Sequence, residues 1–134
     1  MSDTPPIVLR DAKVMGFVAT ADPDRAKAFY RDVVGLRLIA DEHYALVFSA
    51  GGTMLRVQKV RDLDPQPFTA FGWEVDDIER AVDELVGRGA SVLHPDGIPQ
   101  DPRGIWDTGE GARVCWFKDP DGNTLSLTEF ADPG

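Results

Sequence analysis

The sequence predicts an α+β fold in which one β-α-β-β-β unit occurs twice. Three observations carry that expectation. Strand-length apolar runs and one amphipathic helix follow each other in the same order in both halves of the 134-residue chain. Asp24-Arg25-Ala26 and Glu79-Arg80-Ala81 occupy equivalent places in the two helices, at an offset of 55 positions (24 to 79). Gly52 and Gly122, each in the turn before a last strand, lie 70 apart (52 to 122), and the 15 extra residues fall in the Pro/Gly-rich stretch from His94 to Gly111.

Each element has its local cause. Val14 to Ala19 is an apolar run of strand length, and Asp22 then offers a helix N-cap with Pro23 at the first helical position. Ala26, Phe29, Tyr30 and Val33 recur at helical spacing, and Gly35 ends that helix. Three strands follow, at Leu36 to Ala40, Tyr44 to Phe48 and Thr53 to Val60, separated by turns at Asp41-Glu42-His43 and Ala50-Gly51-Gly52. Asp62, Asp64, Pro65 and Pro67 mark a linker, 61–67, between module 1 (12–60) and module 2 (68–130) of one domain, 1–134. The second copy runs through a strand at Thr69 to Val75 and a helix capped by Asp76-Asp77, with Ile78, Ala81, Val82, Leu85 and Val86 on its apolar face. Strands are expected at Ala90 to Leu93, Arg113 to Phe117 and Thr124 to Phe130, the last after the turn Asp119-Pro120-Asp121-Gly122-Asn123.

Composition narrows the function classes. The chain carries 14 Lys plus Arg against 23 Asp plus Glu, a formal charge of −9, which disfavours nucleic acid and anionic membrane as partners. No apolar run is long enough for a membrane span, and the start, Met1-Ser2-Asp3-Thr4-Pro5-Pro6, has no secretory pattern. The one cysteine, Cys115, sits in an apolar run and has no partner for an internal disulfide, which points to the cytoplasm.

Three segments in combination, Asp22-Pro23-Asp24-Arg25-Ala26-Lys27-Ala28-Phe29-Tyr30, Glu74-Val75-Asp76-Asp77-Ile78 and Trp116-Phe117-Lys118-Asp119-Pro120-Asp121-Gly122-Asn123, resemble the vicinal oxygen chelate (glyoxalase/bleomycin-resistance/dioxygenase) superfamily. The resemblance spans about Lys13 to Phe130 and implies a cupped, barrel-like mixed sheet with the helices outside. It also implies a small-molecule pocket in the cup and a homodimer. Metalloenzyme members grip a divalent cation there with His and carboxylate ligands. Carried onto this chain, the four ligand positions are Met15 and Ala70, each seven residues before a capping Asp (Asp22, Asp77), and Arg56 and Ser126, each four past a turn glycine (Gly52, Gly122).

None of the four suits a hard cation, and a fixed guanidinium opposes one. No metal or other cofactor is therefore expected, with Ni, Zn, Fe or Mn the alternative. His43 and His94, the two histidines, fall in a hairpin turn and in the insertion. Alternation adds Phe17, Met54, Gln58, Gly72, Glu74, Thr124 and Thr128 to the cup face. Arg56 either pairs with a carboxylate inside the barrel, such as Glu74, or offers a bidentate contact to an anionic or carbonyl-bearing ligand. Trp106, in the insertion, either closes over a ligand or tacks its loop down, and Asp107 beside it is a candidate base. Trp73 and Trp116 are expected in the core.

The function expected is metal-independent binding or sequestration of an aromatic or anionic metabolite or drug. The alternative is an enzyme of the same fold, a lyase, isomerase or dioxygenase. It would use a divalent metal or a metal-free site built from Arg56, Glu74 and Asp107.

Overall fold

The structure, a computed structural model, describes residues 8–131, so the start Met1 to Pro6, where no secretory pattern was expected, lies outside the described residues. Module 1 comprises β1 (Met15–Thr20), α1 (Pro23–Ala28), β2 (Arg37–Asp41), β3 (Ala45–Ala50) and β4 (Thr53–Lys59). Module 2 comprises β5 (Thr69–Glu74), α2 (Ile78–Gly87), β6 (Trp106–Asp107), β7 (Ala112–Lys118) and β8 (Thr124–Phe130). Each module makes one four-stranded mixed sheet, in the orders β1-β4-β3-β2 and β5-β8-β7-β6. The first and last strands of each module lie side by side and parallel, and the other pairs are antiparallel.

Both helices start as their sequences dictate. The Asp22 and Asp77 carboxylates accept the amides of Arg25 (3.3 Å) and Arg80 (3.2 Å), satisfying donors that an uncapped first turn leaves free. After Ala28 the first helix widens into a π-turn over Phe29–Val33, where the Val34 amide reaches back to the Phe29 carbonyl at 3.0 Å. Gly35 then turns the chain with φ of 88°.

The strand expected at Ala90 to Leu93 does not form as a strand. Only Val92 bridges, to Phe117, and Leu93 donates to the Trp116 carbonyl at 2.8 Å. Pro95 has no amide to extend a ladder, and Ala90 is held by the end of α2 through Leu85. The edge of the second sheet is instead β6, two residues of the insertion, paired with Arg113 and Val114.

The helices and the inner faces of the sheets share one core. Ala26, Phe29 and Tyr30 of α1 and its π-turn, and Ile78, Val82 and Leu85 of α2, pack with Leu55, Val57, Cys115, Phe117, Leu125 and Leu127. Burying such side chains gives roughly 1.5–3 kcal/mol each before ordering costs. A polar clamp also joins the modules at the turn before β8. Buried Asp119 accepts the Tyr30 hydroxyl (2.6 Å) and the Asn123 side-chain amide (2.8 Å), while Asn123 donates to the Ala19 carbonyl (2.8 Å). Burial, then the charge of Asp119, hold the Tyr30 phenol well above its ordinary range.

Candidate functional site

Strand alternation gives each sheet a face turned away from the shared core. On β4, Leu55 and Val57 are fully buried, so Met54, Arg56 and Gln58 project from the other side. On β1, Val18 and Thr20 are buried, so Met15 and Phe17 project likewise. The register sets Met15 beside Met54 and Phe17 beside Arg56, and on the third strand Val47 lies opposite Arg56. Met15, Phe17 and Met54 are 44%, 48% and 41% exposed, a strip of apolar surface left open by the single chain. One end of it deepens into a hollow of about 350 Å³ lined by Met15, Ile39, Val47, Ser49 and Met54.

The second sheet repeats the arrangement. Gly72 lies beside Ser126, which pairs with Trp116, and Glu74 lies beside Thr128, which pairs with Val114 and so leads to Trp106. A Cβ on Gly72 would overlap the Ser126 hydroxyl, so the glycine lets the two strands carry their polar atoms close together. Trp106 stacks on Trp116, centroids 6.0 Å apart and planes 23° from parallel. Arg56 pairs with Phe17, two residues past Met15, and Ser126 pairs with Gly72, two residues past Ala70. The four positions therefore keep one diagonal relation in both modules, although β5 has an irregularity at Ala70.

Arg56 has a carboxylate partner, and it is Glu42, not Glu74. Its Nη2 donates to Glu42 Oε1 at 2.9 Å from a side chain that is itself only partly exposed. Glu42 sits just after β2, in the turn that the sequence marks as polar, where nothing in the pattern announces its partner. Among the described residues the Arg56 guanidinium makes no other hydrogen bond or ion pair.

Trp116 is the other departure. It is half-buried in the stack with Trp106 and lies out of phase with fully buried Cys115 and Phe117, an alternation that would have placed it outside the core. Trp73, in contrast, does pack on the core, stacked on Phe117.

Asp107 is not brought to this face. It pairs in register with Arg113, whose guanidinium binds Glu79 of α2 and Glu129 on the helix side. Asp107 itself accepts the Gly109 amide in a local turn. The histidines stay apart as well: His43 packs edge-on against Tyr44, and His94 bonds Gln100 within the insertion.

A thioether, a guanidinium, a methyl group and a neutral hydroxyl do not fit a divalent cation, and among the described residues no three His, Cys, Asp or Glu side chains gather to hold one. No helix among the described residues is long and apolar enough to cross a membrane.

Comparison with known proteins places this geometry. The profile of the Glyoxalase/Bleomycin resistance protein/Dioxygenase superfamily matches residues 12–127. Among solved structures, a glyoxalase/bleomycin resistance protein/dioxygenase from Alicyclobacillus acidocaldarius superposes with a TM-score of 0.70 at 18% identity, over 91% of this chain and 93% of that one. The genomically encoded fosfomycin resistance protein FosX from Listeria monocytogenes gives 0.68 at 16% identity, over 89% and 93%. A lactoylglutathione lyase from Agrobacterium tumefaciens gives 0.62 at 20% identity, over 93% and 95%. No curated protein matches the sequence. Likeness at such identities carries the fold alone, but the profile covers most of the chain: it belongs to the Glyoxalase/Bleomycin resistance protein/Dioxygenase superfamily.

Proposed function

We propose that this protein is a metal-independent binder of a small aromatic or anionic metabolite or drug, held on the faces turned away from the core. The observation that carries the proposal is Arg56 standing among half-exposed Met15, Phe17 and Met54 at a position where metalloenzyme relatives place a ligand. A flat apolar ligand gains by covering that strip, and an anionic or carbonyl group on it gains a charge-assisted hydrogen bond from the free guanidinium edge. Gln58, Ser126 and Thr128 add neutral donors and acceptors, and the Trp106–Trp116 stack adds an aromatic wall. Modules 12–60 and 68–130 each supply one wall, and a second copy of the chain closes the cup as a homodimer. A lone thiol such as Cys115 suits the reducing cytoplasm.

The test is a thermal-shift and calorimetric screen of metal-stripped protein against catechols, aromatic carboxylates and aromatic antibiotics. Ligands that stabilise the wild type and lose about tenfold or more in affinity with Arg56→Met support the proposal. Stabilisation that requires an added divalent ion, or affinity indifferent to Arg56→Met, contradicts it.

A further inference from the structure

A different cleft lies on the helix side of the sheets, where the two modules meet. It measures about 180 Å³ and is walled by Val34 after the π-turn, Ala81 and Leu85 of α2, and Trp73, Phe117 and Leu127 of the second sheet. The Trp73 and Phe117 rings stack there, centroids 6.1 Å apart and planes 25° from parallel. Arg88, the C-cap residue of α2, stands on the rim. It stretches over to the first module, where its Nη1 lies 3.0 Å from the place a Cβ on Gly35 would occupy.

The charges around α2 single Arg88 out. Glu79 is matched by Arg113 (2.9 Å), Asp83 by Arg103 (3.0 Å) and Glu84 by Arg80 (3.3 Å). Among the described residues Arg88 has no carboxylate in ion-pair reach, although the chain as a whole is −9. A cation at a helix C-terminus answers the helix dipole. That alone does not require the guanidinium to reach the first module beside an apolar cleft.

We infer that this cleft is a second ligand site, selective for a small aromatic monocarboxylate. The ring lies against half-buried Trp73, which itself stacks on fully buried Phe117, and the carboxylate meets Arg88. An apolar cavity of about 150 Å³ accepts benzene, so this one takes a single ring with a short substituent and not a fused polycycle. Glu84, whose carboxylate is matched by Arg80, also borders the cleft and disfavours a second negative charge on the ligand. The inference does not rest on the function proposed for the opposite faces.

The experiment is calorimetric titration of the full chain with phenylacetate, benzyl alcohol and benzylamine, using wild type, Arg88→Met, Ala81→Phe and Arg56→Met, each confirmed folded by circular dichroism. The expected result is a phenylacetate binding event that Arg88→Met weakens by about tenfold or more. Ala81→Phe, which fills the cleft, should also weaken it, a separate event weakened only by Arg56→Met belongs to the opposite faces, and the neutral and cationic analogues should bind the cleft more weakly. The inference is overturned if no phenylacetate event is seen up to about 10 mM, an affinity of only about 3 kcal/mol. It is equally overturned if every event survives Arg88→Met, or if the event is lost with Arg56→Met and so belongs to the opposite faces.

Discussion

Arg56 sits at a place where a positive charge has two uses, and Glu42 already takes one of them. Replacing Glu42 by Gln removes the competing charge while keeping a hydrogen-bonding side chain. Glu42→Gln is therefore expected to tighten binding of an anionic ligand severalfold, as Arg56→Met weakens it, and titration of both variants with one ligand checks the pair. Cys115 shows the opposite use of an ionisable group. Burial pushes its thiol up to about 11, so the thiolate is scarce at neutral pH. The native protein should react with thiol reagents only on unfolding, and prompt labelling of Cys115 in folded protein would contradict the burial described.

At the scale of elements, close strand approach and one polar turn hold the modules together. A Cβ on Gly16 of β1 would overlap the Phe71 ring of β5. Gly16→Ala should cost about 1–3 kcal/mol of stability, measured by urea denaturation. The turn before β8 contributes through Tyr30 and Asp119. Tyr30→Phe leaves a buried carboxylate short of one donor and should cost about 1–3 kcal/mol. The same contact sets a pH dependence. The folded state holds the Tyr30 proton more tightly than the unfolded chain, whose phenol titrates near 10.0. Its stabilisation is therefore complete below that pH and is lost as pH rises above it. Wild type should lose stability above pH 10 more steeply than Tyr30→Phe, and parallel pH profiles would contradict this.

Element order was legible because caps, glycines and periodicity agree: Asp22 and Asp77 start the helices where their carboxylates do accept amides. The edge of the second sheet was not legible. Ala90 to Leu93 looks like a strand by composition, yet the pairing falls to Trp106 and Asp107, which only tertiary proximity selects. In the candidate site, alternation found the outward residues of β4 and β1, while the Arg56–Glu42 pair depends on how a hairpin curls back and left no trace in the pattern.

For the whole molecule, an apolar strip of Met15, Phe17 and Met54 left open in one chain is costly in water and calls for cover. A homodimer is the expected state in solution. Sedimentation equilibrium should show it, and Phe17→Asp should shift the equilibrium toward monomer; a monomer at every concentration would contradict it. A net charge of −9 would by itself draw cations, so the absence of fitting ligands at Met15, Arg56, Ala70 and Ser126, rather than overall charge, underlies the metal-free proposal. Elemental analysis of protein purified without chelator tests that most directly. Ni, Zn, Fe and Mn well below one ion per chain are expected. One tightly held ion per chain, lost together with ligand binding on chelation, would contradict it.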